Sequence, residues 1–253
     1  MQDPSRGQSG PADSAGEAGT PAPVPARRLA VRPAGAPDRP LLEAGLLLAA
    51  FYLASYLPSD PGAAGAALGD PSFQLLLLAG LLPKAALTLY MMARAEGLAA
   101  FGVRAPRLAD LPRGFVAAAG AFAAALLPAL ALSALGYRNP LLAGIGAPTA
   151  PPLLLLPLVA ATALAVGYSE ELFFRAYLVR RLSQAGLSLP WAALASCVVF
   201  ASAHGLQGLP GLALALLLGL WFTWRWLSGR NLHEIALGHA LYDFGVMAAA
   251  LYG

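Results

Sequence analysis

Charge is the scarcest thing in this sequence. Asp, Glu, Lys and Arg make up 11% of its 253 residues, against about 25% in a soluble globular domain. With 58% hydrophobic residues, such a chain is not made to be wetted on all sides. Cysteine is nearly absent. Cys197 stands alone, so an intramolecular disulfide is excluded, and no metal-ligand spacing surrounds it. It reads as a small core residue in an apolar run. Net charge is only +3, with the basic residues scattered between apolar blocks. That excludes a nucleic-acid partner. No apolar stretch follows Met1, so no secretory signal peptide is expected there. The His-Glu-x-x-His pattern of zinc peptidases is missing as well: His239 follows His233-Glu234 at a spacing of six, which is not one helical face. Gly167-Tyr168-Ser169 lacks the closing glycine of a serine-hydrolase elbow. Ser169 is therefore a packing or hydrogen-bonding residue rather than a nucleophile.

What the sequence does have is long apolar runs. A bilayer core needs about 20 apolar residues per helix, and about seven candidates are present: Leu41–Leu57, Phe73–Ala93, Phe115–Leu135, Leu153–Leu182, Leu189–Ala203, Leu209–Leu227 and Leu232–Tyr252. The first and fifth are short, and the fourth is long and contains charges. Pro83 predicts a kink in the second, where Lys84 must snorkel or face the interior. The fold class is all-α, a polytopic transmembrane helical bundle with a disordered N-terminal tail. Residues 1–38 form that tail, rich in Pro, Gly and Ala and basic near the membrane at Arg27, Arg28 and Arg32. Residues 39–253 form the bundle. Arginines recur on alternate connections: Arg39, then Arg94, Arg104, Arg107 and Arg113, then Arg180 and Arg181, then Arg225 and Arg230. The other connections hold only Arg138. That asymmetry places the N-terminus in the cytoplasm.

Three polar clusters interrupt these spans, and ionisable side chains at membrane depth usually mark a site or pair with each other. The first is Glu170-Glu171-Leu172-Phe173-Phe174-Arg175. Glu171 and Arg175 share a helical face and can pair, leaving Glu170 to project elsewhere. The second is Phe200-Ala201-Ser202-Ala203-His204, at the end of the fifth span. The third is His239-Ala240-Leu241-Tyr242-Asp243, which puts His239 and Asp243 on one face. Counted from the nearest span ends at 1.5 Å per residue, Glu170 lies ~15 Å deep, His204 ~21 Å, His239 ~12 Å and Asp243 ~18 Å. All four fall within roughly 10 Å of depth near the middle of a ~30 Å core. One buried polar cluster would produce that agreement; solvated loops would not.

At these residues the sequence resembles the CPBP family of intramembrane peptidases, also called the CAAX protease and bacteriocin-processing (Abi) family. That family's signature is EExxxR, FxxxH and HxxxN or HxxxD on successive membrane helices, read here at Glu170-Glu171…Arg175, Phe200…His204 and His239…Asp243. Phe101-Gly102-Val103-Arg104 is also similar to family sequence, and the resemblance covers roughly residues 100–250, the peptidase core. It implies an intramembrane endopeptidase. Glu170 would be the catalytic carboxylate and His204 its partner, with His239 and Asp243 completing the site. Glu171, Arg175 and Phe200 would be structural supports.

Peptide hydrolysis needs a polarised water, a stabilised oxyanion and a protonated leaving amine. A carboxylate in low dielectric suits the general base. His204 can orient the water or share its proton, and His239 can donate to the oxyanion. Asp243 can fix the His239 tautomer, or donate if protonated. A zinc site is the alternative: Glu170, His204, His239 and Asp243 are acceptable ligands, but four occupied protein positions leave tetrahedral zinc none for water. Catalysis without a cofactor is therefore favoured. The expected partners are the lipid bilayer and a membrane protein or lipid-anchored peptide substrate, such as an anchored protein, a C-terminal sorting tag or a leader peptide. The Ala, Leu and Pro bias suggests a bacterial inner (cytoplasmic) membrane. Two competing readings are a non-catalytic scaffold or bacteriocin-immunity protein of the same fold, and a transporter with midplane carboxylates. The missing internal repeat counts against the transporter.

Overall fold

Proline and glycine punctuate the apolar runs where helices start and stop. In a computed structural model the protein is described at residues 39–57, 60, 66–138 and 153–252; the expected basic tail lies outside the described residues. Pro40, Pro71, Pro157 and Pro190 sit in the first turn of their helices, where the missing N–H costs nothing. Asp70 caps the second helix by accepting from the Ser72 amide at 2.8 Å. Among the described residues the chain is all-helical, and seven principal helices carry the fold. These are α1 (Pro40–Tyr52), α2 (Pro71–Ala95), α3 (Asp110–Ala134), α4 (Leu153–Gln184), α5 (Leu189–Ser202), α6 (Gly208–Gly229) and α7 (Leu232–Tyr252).

Helices α2, α3, α4, α7 and the stretch Gly205–Gly229 that contains α6 are long and apolar enough to cross a membrane, so this is an integral membrane protein. The runs Pro40–Tyr56 and Leu189–Ser202 are apolar but shorter, as their sequence suggests. Helix α2 runs from Pro71 to Ala95 with Pro83 inside it. Helix α3 begins at Asp110, five residues before the apolar run that announces it. Its first residue is buried by partners from elsewhere: Asp110 is 1% exposed, ion-paired with Arg104 and bonded by Asn231 Nδ2 at 3.0 Å.

Helices α4 and α7 form the centre. They pack on each other, α3 covers α7, α2 covers α4, and α5 pairs with α6. Small residues set the spacing of these contacts, as packing between membrane helices requires. A Cβ on Gly167 of α4 would stand 2.5 Å from Ala236 O and 2.8 Å from Ala240 N of α7. A Cβ on Gly238 of α7 would stand 2.6 Å from Ala117 Cβ of α3. Polar rungs flank the Gly167 contact. Tyr168 OH bonds His233 Nδ1 at 2.9 Å. Because His233 Nε2 meets the Arg104 carbonyl at 2.8 Å, the ring donates there and accepts from Tyr168.

Other ion pairs join the ends of neighbouring helices. Arg180 and Gln184 at the end of α4 bind Glu96 beyond α2. Arg181 binds Glu43 of α1 at 2.8 Å, and Arg225 of α6 pairs with Glu234 of α7. Burial pushes the Glu96 carboxyl up. Hydrogen bonds from Arg180 and Gln184 and the charges of Arg180 and Arg181 outweigh it, leaving Glu96 below the ordinary glutamate range.

Two outcomes are expected. Gly167→Ala should cost about 1–3 kcal/mol of stability by overpacking α4 against α7, seen as a lower melting temperature in detergent. Gly45→Ala, where nothing stands within 4 Å of the added carbon, should leave it unchanged. A lowered folded-state value means that Glu96 contributes stability fully present above the unfolded value of ~4.3 and lost as pH falls below it. Glu96→Gln should flatten that acid limb of a pH–melting curve, and an unaltered limb would contradict the assignment.

Candidate active site

Helix α4 does not stay α-helical. Between Leu172 and Leu178 it widens into a π-helix, a rare geometry often found at functional sites. All seven residues of this segment are buried. Large side chains fill the space around it: Phe173 and Phe174 meet edge to face with centroids 5.1 Å apart, and Tyr52 of α1 packs on both. The segment begins directly after Glu170 and Glu171.

Glu171 is fully buried, and its Oε1 serves two partners. Arg175 Nη1 lies 3.0 Å away as an i,i+4 ion pair, and His239 Nδ1 of α7 lies 2.8 Å away. A carboxylate oxygen accepts, so His239 Nδ1 carries the proton and its Nε2 faces the other way. On that side Asp243 Oδ2 stands at 3.5 Å and Glu170 Oε2 at 3.9 Å. Both are close enough to interact electrostatically but too far for a direct hydrogen bond. Glu170 Oε2 is buried and has no hydrogen-bond partner among the described residues.

Aromatic rings hold the imidazole and the guanidinium in place. Phe222 of α6 stacks on His239, with centroids 5.2 Å apart and planes at 16°. Arg175 lies over the Phe200 ring at 4.2 Å, and its Nη2 donates to Gly219 O at 3.3 Å. A Cβ on Gly219 would come within 3.1 Å of the Phe200 ring, so glycine lets α6 approach this stack. His204 follows the end of α5. Its Nδ1 donates to Phe200 O at 2.9 Å, so its Nε2 faces the other way, as in His239. Both imidazoles flank the Phe200 ring, with centroids 4.7 Å away for His204 and 6.1 Å for His239. His204 is within electrostatic range of Asp243.

The residues singled out in the sequence therefore lie around one centre. Glu170 and Asp243 both stand at His239, Glu171, Arg175 and Phe200 brace it, and His204 stands across Phe200. The carboxylate at His239 Nδ1 is Glu171, whereas the sequence offered Asp243 for fixing that tautomer. Asp243 sits on the Nε2 side instead, because one helical turn along α7 carries it past the ring. Tyr52, Phe222, Gly167, Gly219 and the Tyr168–His233 rung contribute to the centre without standing out in the sequence. Of these, only the glycines carry a sequence signal, as small residues within apolar spans. As to a metal, no group of three His, Cys, Asp or Glu side chains that could hold a metal ion stands among the described residues.

Residues 152–245 match the model of a family described as type II CAAX prenyl endopeptidase Rce1-like. The match runs from the start of α4 past Asp243 and so contains every polar residue of the centre, while α1, α2 and α3 lie outside it. No curated protein and no solved structure matches the chain. Residues 152–245 are thus similar to that family and lie within helices long enough to span a membrane, in keeping with an intramembrane peptidase.

Removing one partner of a buried ion pair strands the other. Arg175→Met should therefore lower stability by about 3–5 kcal/mol, and adding Glu171→Gln should recover part of that loss. Thermal unfolding of the two single variants and the double variant in detergent measures the coupling. Strictly additive losses would show that the pair does not act as one.

Proposed function

We propose that this chain is an intramembrane endopeptidase in which Glu170 activates the water that attacks a peptide bond. The observation that carries the reading is the convergence of Glu170 and Asp243 on His239, each with an oxygen within 3.9 Å of its Nε2, inside helices long enough to span a bilayer. Charged groups at that depth are retained for use.

The roles follow from donors and acceptors. Glu170 Oε2, without a hydrogen-bond partner among the described residues, accepts a proton from water, and the oxygen adds to the scissile carbonyl carbon. His204, with Nδ1 committed to Phe200 O, presents Nε2 to orient that water or share its proton. Negative charge grows on the carbonyl oxygen. His239 can answer it only from Nε2, because Nδ1 is held by Glu171; as an imidazolium it donates there, in a site where preorganised donors act strongly. Asp243, on the same side of the ring, favours that charged form. When the C–N bond breaks, the proton taken by Glu170 passes to the leaving amine. Water has then been added across the peptide bond, and the site returns to its starting charge. Glu171 and Arg175 touch neither substrate nor water in this scheme; they position His239. Each step uses only the chain's own residues, so a glutamic mechanism is preferred to a zinc-dependent one.

The substrate class that fits is a peptide bond near or within the membrane, in an anchored protein, a C-terminal sorting tag or a leader peptide. The alternation of arginines supports a cytoplasmic N-terminus, and the composition supports a bacterial inner membrane. Residues 100–250 would be the peptidase core.

New peptide termini can be compared by mass spectrometry in membranes holding wild type, Glu170→Gln, Glu170→Ala, His204→Ala, His239→Ala or Cys197→Ser. Wild type and Cys197→Ser should produce the same termini. The Glu170 and histidine variants should lose cleavage by about 100-fold or more. Undiminished cleavage by Glu170→Ala would refute the assignment, and dependence of the wild type on added zinc after chelation would refute the metal-free mechanism.

A further inference from the structure

Lys84 is a charge that the peptidase reading leaves unused. It lies in the middle of α2, a membrane span, where a lysine is expensive unless it faces a partner. Its Nζ stands over the Tyr52 ring, 5.1 Å from the centroid. That ring packs on Phe173 and Phe174 at 5.5 and 4.9 Å, three and four residues beyond Glu170. Through that ring Lys84 borders the beginning of the π segment, and Glu170 is the charged group that acts on it.

The centre holds more carboxylates than guanidinium groups. Glu170, Glu171 and Asp243 are three carboxylates. Arg175 answers Glu171 at 3.0 Å. One imidazole, His239, is shared among all three. Neither Glu170 nor Asp243 pairs with a guanidinium, and among the described residues Glu170 Oε2 has no hydrogen bond. The groups set against it are Tyr52 from α1, Lys84 from α2 and His239 and Asp243 from α7, with Glu171 next to it in α4. Lys84 is the cation among them that is not already engaged by another carboxylate.

We infer that Lys84 is a positioning residue whose ammonium, fixed over Tyr52, is the counter-charge that keeps the Glu170 carboxylate turned into the site. The inference rests on Glu170 being the base. It assigns part of the machinery to α2, outside the matched domain.

The test uses the full chain in proteoliposomes with a farnesylated, fluorogenic CAAX-type peptide as probe. Lys84→Met keeps the length of the side chain and suits lipid better than lysine, so a merely structural role predicts an unchanged or raised melting temperature with unchanged kcat. The counter-charge role predicts a kcat lower by ~10-fold, the size of one partly desolvated charge interaction. It also predicts KM within about twofold and substantial recovery in Lys84→Arg, which restores the positive charge. Full kcat in Lys84→Met would overturn the inference. So would a rise in KM alone, which would mean that Lys84 holds an anionic group of the substrate instead. Glu170→Gln, run in parallel, separates the two readings. If it stays active, the peptidase assignment itself fails; if it is dead while Lys84→Met is fully active, only the role of Lys84 fails.

Discussion

One buried oxygen, Glu171 Oε1, organises the centre of this protein. It takes the proton side of His239 at 2.8 Å and the guanidinium of Arg175 at 3.0 Å. A carboxylate with no exposed surface can remain there only if both partners stay, since each offsets the cost of burying it. That single requirement fixes the His239 tautomer, points Nε2 toward Glu170 and Asp243, and holds Arg175 against Phe200. Moving any of these would strand a charge in a region that lipid, not water, surrounds.

The same requirement constrains the helices. Glu171 belongs to α4 and His239 to α7, so their contact exists only if the two helices hold one register and one separation. Gly167 allows the backbones to approach. The Tyr168–His233 rung, continued to the Arg104 carbonyl, pins the register on the other side of that glycine. The motif-like segment Phe101-Gly102-Val103-Arg104 thus ties the loop before α3 to the start of α7. Phe101 also stacks on Tyr177 with centroids 5.8 Å apart, reaching the far end of the π segment.

Catalytic readings of such a centre depend on which lone pairs remain free. Both imidazoles are committed through Nδ1, His239 to a carboxylate and His204 to a backbone carbonyl. Both therefore offer Nε2. This common anchoring, from unrelated elements, gives the proposed water activation a defined polarity.

Much of this was legible in the linear chain. Low charge and long apolar runs dictate membrane helices, because unpaired backbone cannot be left in lipid. Residues at i and i+4 on one helix, such as Glu171 with Arg175 and His239 with Asp243, were readable as pairs from helical periodicity alone. The like depths of Glu170, His204, His239 and Asp243 announced a single cluster. What the chain order could not reveal is which partner each group takes across helices. That His239 turns its Nδ1 to Glu171, that Lys84 rests on Tyr52, and that α4 widens for one π segment are outcomes of packing. They depend on the spacing between backbones and on which side chains fill the space between them, and neither is a property of any single segment.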